Sequence, residues 1–528
     1  MGQLALLFAL LLGAVIMVPV GDRLRLPPPV LMTALGILLA VLPFVPNVNV
    51  PPGLILPLVL PPLLYSSVQR TSWRQFAANW RPITLLAVAL VFVTTVAVAS
   101  VAHALVPGLP IAAAVALGAL VAPPDPVSVT AVAGSLGMPR RLVSILEGEG
   151  LFNDVTAIVI YNVAIVAAVT GSFSWPDALG QFALSAVVAV AVGIAVGWLG
   201  AKLMGLLGDA TLQVGLSLLL PFASYALAGD FHGSGVLAVL VTALFLTESW
   251  LDADDIEGRL TSAAFWQIVE TLVTGVAFGL IGLELHNVFG SAGGRLGQML
   301  AWGGIVAGVV VVVRLAWLLP ASWLTRFRRR LKHSDMEVPV GWRETVVMWW
   351  SGMRGVASIA LALAVPLTVQ SGLPFPARNV IVFVAFAVVL STLVVQGLTL
   401  PWLVNRLGVR ADTAAERDLE RDLATRATKA ARRRLREITQ TEDLPDELVE
   451  MLARRLINVG MRISPDILDE ERREAYAARA DRVKTARRVQ SEMMSAARRA
   501  VLSARSEPGA DPEIVDRVLR QLDVGSIR

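Results

Sequence analysis

From the N-terminus to about residue 405 the chain is a succession of apolar runs, each about 17–25 residues long and able to cross a bilayer as a helix. Irregular backbone and open sheet edges are not tolerated against lipid, and no barrel-type alternation is present. The sequence therefore predicts an all-α polytopic membrane protein. Composition agrees: 55% of the 528 residues are hydrophobic and 16% are charged, which is far too apolar for a soluble chain of this length. About 13 transmembrane helices are expected, near 3–20, 28–45, 53–68, 83–106, 109–136, 140–170, 179–206, 211–229, 233–249, 261–286, 297–320, 344–367 and 378–405. Past about Arg406 the chain turns rich in Arg, Glu and Asp. It is thus expected to divide into a transmembrane domain, 1–406, and a helical cytoplasmic tail, 407–528. The run Leu4–Val20 lacks a basic leader and a small-residue cleavage site, so it is read as a retained first span.

The loops test this count. With the N-terminus outside, the inner loops hold Arg23 and Arg25; Arg70, Arg74 and Arg81; Arg140 and Arg141; Lys202; Arg259; and the cluster Arg326, Arg328, Arg329, Arg330 and Lys332. The outer loops hold Arg295 and Arg378. This asymmetry follows the positive-inside rule and places the C-terminus in the cytoplasm of a cell whose plasma membrane the chain spans. It also accounts for the basic residues of the first part without a nucleic-acid partner; the partner implied is the lipid bilayer. There is no cysteine, which excludes disulfides and thiol chemistry. The histidines His103, His232, His286 and His333 match no zinc spacing. No cofactor site and no enzymatic motif is expected.

Charge inside a span is the next constraint, because a mid-bilayer charge costs about 2.5–3.5 kcal/mol on insertion scales. Asp125, Glu147, Glu149, Asp154, Glu270, Glu284, Arg314 and Arg354 fall in or near spans. Glu147 and Glu284 are read as span-end residues reaching the interface. For Glu270 and Arg314 the sequence leaves open whether they pair helices. Asp154 differs: Asn153 sits beside it and a mostly apolar run of about three turns, Ala157–Ala168, follows. A carboxylate with an amide oxygen suits a hard cation such as Na+. A purely structural Asp–Asn pair is the competing reading. Glu149 shares a helix face with Asn153, and Gly150 shares one with Asp154, where it allows a close neighbour.

Two spans look interrupted. In "VAPPDPVSVTAVAG", Pro123, Pro124 and Pro126 remove donors and leave carbonyls near Ala119, Leu120 and Ala122 in need of partners. Asp125 there can offset a half-helix N-terminus, and Ser128 and Thr130 add oxygens. In "SGMRGVASIALALAVP", Gly352 and Gly355 flank Arg354, which must be paired if buried. The breaks lie in comparable places in the two halves of the membrane domain. That is the signature of inverted repeats with two broken helices crossing at the midplane.

"GEGLFNDVTAIVIY", "APPDPVSVTAV", "GMRGVASIALALAVP" and "LPPLLYSS" together resemble the Na+/H+ antiporter and exchanger family of monovalent cation:proton antiporters, over about residues 1–405. The resemblance implies a bacterial plasma-membrane antiporter, a homodimer, that exchanges Na+ (or Li+ or K+) for H+. It implies that Asp154 takes either the cation or the proton and that Asn153 stabilises the site. It further implies that Glu149 forms an ion pair with Arg354, and that the backbone around Asp125 helps to hold the ion. Pro124 stands where many relatives have Thr, Ser66 where some have an acid and Gly150 where some have Ser. A site with fewer protein ligands and more water is expected from these departures.

One exchangeable charge at Asp154, beside an uncharged Asn153, predicts electroneutral one-for-one exchange by alternating access. A K+/H+ antiporter or a cation channel is the near alternative. A non-transporting membrane sensor or scaffold is the distant one, and broken helices in both halves argue against it. The tail carries amphipathic patterns such as "ERDLERDLATRATKAARRRLREI" and is read as either a solvated helical tail or a regulatory element.

Overall fold

The structure is a computed structural model that describes residues 2–24, 26–42, 52–70, 80–134, 136–171, 175–251, 256–331, 341–411, 413–442, 444–463, 488–489, 492–503 and 518. The chain forms two compact units, Met1–Ala411 and Asp412–Arg528.

The first unit is helical throughout its described residues, apart from loops and a single bridge between Thr368 and Pro374. Its helices are α1 (Gly2–Leu24), α2 (Pro28–Val41), α3 (Pro52–Arg70), α4 (Trp80–Leu105), α5 (Ile111–Val121), α6 (Val127–Ala133) and α7 (Arg140–Thr170). Then come α8 (Trp175–Leu206), α9 (Ala210–Asp230), α10 (Gly235–Leu251), α11 (Ile256–Ala292), α12 (Leu296–Leu331), α13 (Trp342–Trp350), α14 (Val356–Leu363) and α15 (Arg378–Leu407). Among the described residues, eight helices are long and apolar enough to cross a membrane, and Pro28–Val41, Ile111–Val121 and Gly235–Thr247 are shorter apolar helices. Large apolar side chains such as Phe8, Leu184, Val187 and Leu219 lie exposed on the outside. That pattern would be costly in water and is the ordinary one against lipid tails.

The interior is built from small and branched residues. One core joins α4, α5 and α7 to α12, α14 and α15 through Val98, Leu117, Ala164, Val310, Leu361 and Val384. A second joins α1, α2 and α11 to α14 and α15 through Leu10, Met32, Phe278, Ile359 and Phe383. Both cores therefore hold the segments around the interruptions. Alanine-rich α5 is almost wholly buried, because without a hydrophobic drive between helices close van der Waals contact is what associates them.

The two expected interruptions are real gaps in the helical ladder. The span expected at 109–136 is divided into α5 and α6, and that at 344–367 into α13 and α14. The first gap holds Pro123, Pro124 and Pro126, each of which lacks an N–H and clashes with the preceding turn. The second contains no proline; two glycines, the worst helix formers after proline, flank an arginine there. Short π-helical stretches occur at Leu85–Leu90 in α4 and Thr392–Gln396 in α15. Such stretches often mark functional positions, and Thr392 proves to hold the second gap.

The second unit contains two described helices of length, α16 (Thr413–Thr441) and α17 (Asp446–Ile463), packed against each other. Ala424 is buried on the inner face of α16, and the Arg426–Asp422 and Arg433–Glu437 pairs are surface pairs one turn apart. Exposed pairs of this kind add only about 0.3–0.5 kcal/mol each.

Candidate functional site

The two interruptions touch. The Asp125 N–H donates to Met353 O at 2.6 Å, so the backbone of one gap is hydrogen-bonded to the other. Gly355 lies against the Asp125 carboxylate so closely that a Cβ there would collide with Oδ2, which explains a glycine at this position. Asp125 Oδ1 accepts from the Val127 N–H at 3.0 Å, which places its charge at the N-terminal end of α6.

The freed carbonyls find arginines. Arg354 donates from Nε to Val121 O at 2.9 Å and from Nη2 to Ala122 O at 3.1 Å, while Nη1 meets Gly352 O. Its backbone N–H donates to Thr392 Oγ1 at 3.2 Å, from the π-helical stretch of α15. Arg314, on α12, donates to Met348 O at 3.2 and 3.3 Å in the last turn of α13. Arg378 donates to Leu363 O at 3.2 Å and Val365 O at 2.9 Å at the C-terminal end of α14. Three half-helix C-termini thus each carry a guanidinium, the favourable charge for that end of the macrodipole.

This arrangement changes the expected ion pair. Glu149 does not pair with Arg354. Its carboxylate is held in a two-pronged bridge by Arg314, with Nη1 to Oε1 at 2.5 Å and Nη2 to Oε2 at 2.8 Å, and both side chains are buried. The reason is donor capacity and direction. Arg354 has committed its fork to the carbonyls of Val121, Ala122 and Gly352, whereas Arg314 reaches α7 from α12 with two parallel donors free for a carboxylate.

On α7 the neighbours of Glu149 divide their work. Asn153 is fully buried, and its Nδ2 donates to Pro124 O at 2.9 Å, tying α7 to the first gap. Asn153 Oδ1 is buried without a hydrogen-bond partner among the described residues. Gly150 admits the Pro126 ring, which a Cβ would strike. Further along, the Tyr161 hydroxyl donates to Leu361 O at 2.9 Å, binding α7 to α14.

Asp154 points elsewhere. It lines a cavity of about 50 Å³ together with Asp125, Pro123 and Pro126, Gly150, Leu60, Leu63 and Leu64 of α3, Thr274 and Phe278 of α11, and Gly355, Val356 and Ser358. A water needs about 10–15 Å³ on this measure, so the space admits an ion with a few waters. Two carboxylates therefore face one small, mostly apolar chamber at the contact of the two gaps.

Of the residues singled out from the sequence, Asp154 and Asp125 are brought together here. Asn153 and Arg354 brace the surrounding backbone, and Glu149 pairs with Arg314. Thr130 turns its hydroxyl back to Val127 O at 3.2 Å within its own helix and does not line the chamber. The side chain of Ser128 lies outside the described residues. Ser66 is likewise occupied, donating to Leu63 O at 2.9 Å, while its neighbour Ser67 lines the chamber. Sequence reasoning missed Ser67, Ser358 and Thr274, since single hydroxyls in apolar spans carry no distinguishing signal. It left the role of Arg314 open, although a charge in mid-span was itself the signal that a partner existed.

An all-helical, membrane-spanning chain whose two interrupted helices meet beside a carboxylate-lined chamber has the architecture of an ion-coupled secondary transporter. The chain belongs to the sodium/hydrogen exchanger family, whose transmembrane region matches residues 7–406. It is 35% identical over 526 residues, 98% of this chain and 94% of the relative, to an uncharacterised Na+/H+ exchanger of Mycobacterium tuberculosis. It is 30% identical over 394 residues to the sodium, potassium, lithium and rubidium/H+ antiporter of Bacillus subtilis, covering 72% of this chain and 58% of that one. The fold is similar to that of the sodium proton antiporter MjNhaP1 of Methanocaldococcus jannaschii, with a TM-score of 0.58 and 18% identity over 77% of this chain and 99% of that one.

Proposed function

We propose that the protein is an antiporter that exchanges a monovalent cation, Na+ or else Li+ or K+, for a proton by alternating access, with Asp154 carrying both loads in turn. The observation that carries this reading is the chamber where the two gaps meet: Asp154 lines it beside Asp125 among mostly apolar groups, while Arg314 is taken up by Glu149 and the Arg354 fork by backbone carbonyls. Asp125 is held at the N-terminal end of α6 by the Val127 N–H, and Asp154 has no ion pair among the described residues. Bound to H+ or to Na+, its side chain is neutral. Bare, it leaves one buried negative charge, at a cost of about 2.5–3.5 kcal/mol. A penalty of about 3 kcal/mol lowers the population of the bare form roughly a hundredfold, so loaded forms alternate and exchange is obligatory.

The same arithmetic supports one-for-one, electroneutral exchange. In proteoliposomes, dissipation of a pH gradient should follow addition of Na+, Li+ or K+, each tested in turn. An imposed membrane potential should leave the rate unchanged, and clear acceleration by the potential overturns the electroneutral stoichiometry. The breadth of cations in the name of the Bacillus subtilis relative supports testing all three.

The arginine asymmetry of the loops supports thirteen crossings of the plasma membrane, with the N-terminus outside and the tail in the cytoplasm, and the paired interruptions support two related halves. Reporter fusions after Arg330 and after Arg410 should both read as cytoplasmic; an external signal at either overturns the arrangement. The family resemblance supports a homodimer. The unit Asp412–Arg528 is proposed to be a cytoplasmic regulatory tail, supported by its charged, helical character.

A further inference from the structure

We infer that Thr274 of α11 is a cation ligand of the Asp154 chamber, contributed by a helix outside both interrupted spans. The inference rests on the transport reading above and adds a residue to it.

Three observations converge. Thr274 is 8% exposed, and its Oγ1 is buried with no hydrogen-bond partner among the described residues. A threonine in an apolar helix ordinarily returns its hydroxyl to the carbonyl one turn back, as Thr271 on the same helix does to Gln267 O at 2.8 Å. An orphaned buried hydroxyl costs about 1–3 kcal/mol and calls for an explanation. The second observation is location: Thr274 lines the same chamber as Asp154 and Asp125. Among the described residues, its Oγ1 is the one fully buried side-chain oxygen without a hydrogen-bond partner that lines that chamber.

The third observation is how the helix is held. One face of α11 is pressed onto α1 and α2, where Gly275 meets Ala14, Gly279 comes up against Leu10 and Gly282 against Gly36. A Cβ at Gly282 would run into the Thr33 backbone oxygen, so this face has no room for a side chain there. Thr274 and Phe278, one turn apart, form the neighbouring face and look into the chamber. The hydroxyl is thus presented by a closely seated support and not by the crossing itself. A hydroxyl oxygen is a neutral hard donor, suited to Na+ or Li+, and it adds a ligand without disturbing the charge balance at Asp154.

The test compares the full-length Thr274→Val, Thr274→Ser and wild-type proteins. Val keeps the shape and removes the oxygen; Ser keeps the oxygen. Sodium binding is read in detergent as Na+-dependent thermal stabilisation, and transport is read in proteoliposomes as the Na+ KM and kcat. Loss of one ligand should raise the Na+ KM about fivefold or more in Thr274→Val and weaken its stabilisation by Na+ in step, with Thr274→Ser close to wild type. Without Na+, Thr274→Val should be as stable as wild type or more so, because an unsatisfied polar group has been removed; a structural hydroxyl would give the opposite. Thr274→Ala provides a second hydroxyl-free variant if Val accumulates poorly. A wild-type Na+ KM and wild-type Na+ stabilisation in the hydroxyl-free variants overturn the inference, whatever happens to kcat, and leave the transport reading standing. A wild-type protein with neither stabilisation nor flux in Na+, Li+ or K+ overturns both.

Discussion

Asp154→Asn is expected to abolish cation-dependent proton movement in proteoliposomes, a loss of at least about a hundredfold, while the protein folds and accumulates normally. The substitution preserves shape and removes only the group proposed to exchange H+ for the cation. It also removes a carboxylate that has no ion pair among the described residues, so thermal stability should be unchanged or higher. Two carboxylates share the chamber, and the fate of Asp125 gives a contrast. Its Oδ1 accepts from the Val127 N–H at the start of α6, so Asp125→Ala, which removes that acceptor, should disturb folding as well as flux. Substantial transport in a well-folded Asp154→Asn protein would move the exchange site elsewhere. The measurement is a fluorescent pH-gradient assay beside a melting curve in detergent.

Breaking the Glu149–Arg314 bridge is expected to have the largest effect on stability. Removing one member of a buried ion pair leaves the other uncompensated and typically costs about 3–5 kcal/mol. Both side chains are almost fully buried, so water cannot make good the loss. Glu149→Gln and Arg314→Met should each lower the melting temperature and the yield. The double variant should recover much of the loss, since it removes both charges together. Arg354 provides the control. Glu149→Gln combined with Arg354→Ala should show weaker coupling, because the Arg354 fork serves backbone carbonyls and not this carboxylate. A double-mutant cycle read by thermal melting distinguishes the two; stronger coupling to Arg354 than to Arg314 would refute the pairing seen here.

How far the sequence could be read depended on whether a feature is local. The interruption at Pro123, Pro124 and Pro126 is a consequence of missing donors and ring clashes within a few residues, and it is visible in the letters alone. The one at Gly352–Gly355 was flagged by an arginine with glycines on either side. The need for partners at the freed carbonyls was also legible. Which groups would serve was not: the acceptors are Val121, Ala122 and Pro124, met by Arg354 and Asn153. Glu149 was recognisable as a buried acid that required a cation, yet two mid-span arginines could have answered, and resemblance pointed to Arg354. Thr130 was a plausible ligand by position, but its hydroxyl is spent inside its own turn.

By itself the sequence determined that this chain is helical, lies in a membrane, and is interrupted in two spans that carry charge. Those properties follow from segment-length hydrophobicity and from backbone chemistry at single residues, and a bilayer leaves the chain few other forms. The tertiary structure alone decided that Arg314, 165 residues from Glu149, closes that ion pair, that Arg354 instead holds the end of α5, and that α11 brings Thr274 to the Asp154 chamber. A buried charge announces that it needs a counter-charge, but the energy is nearly the same for any partner that arrives with the right geometry. Only the packing of helices distant in the chain selects which one does.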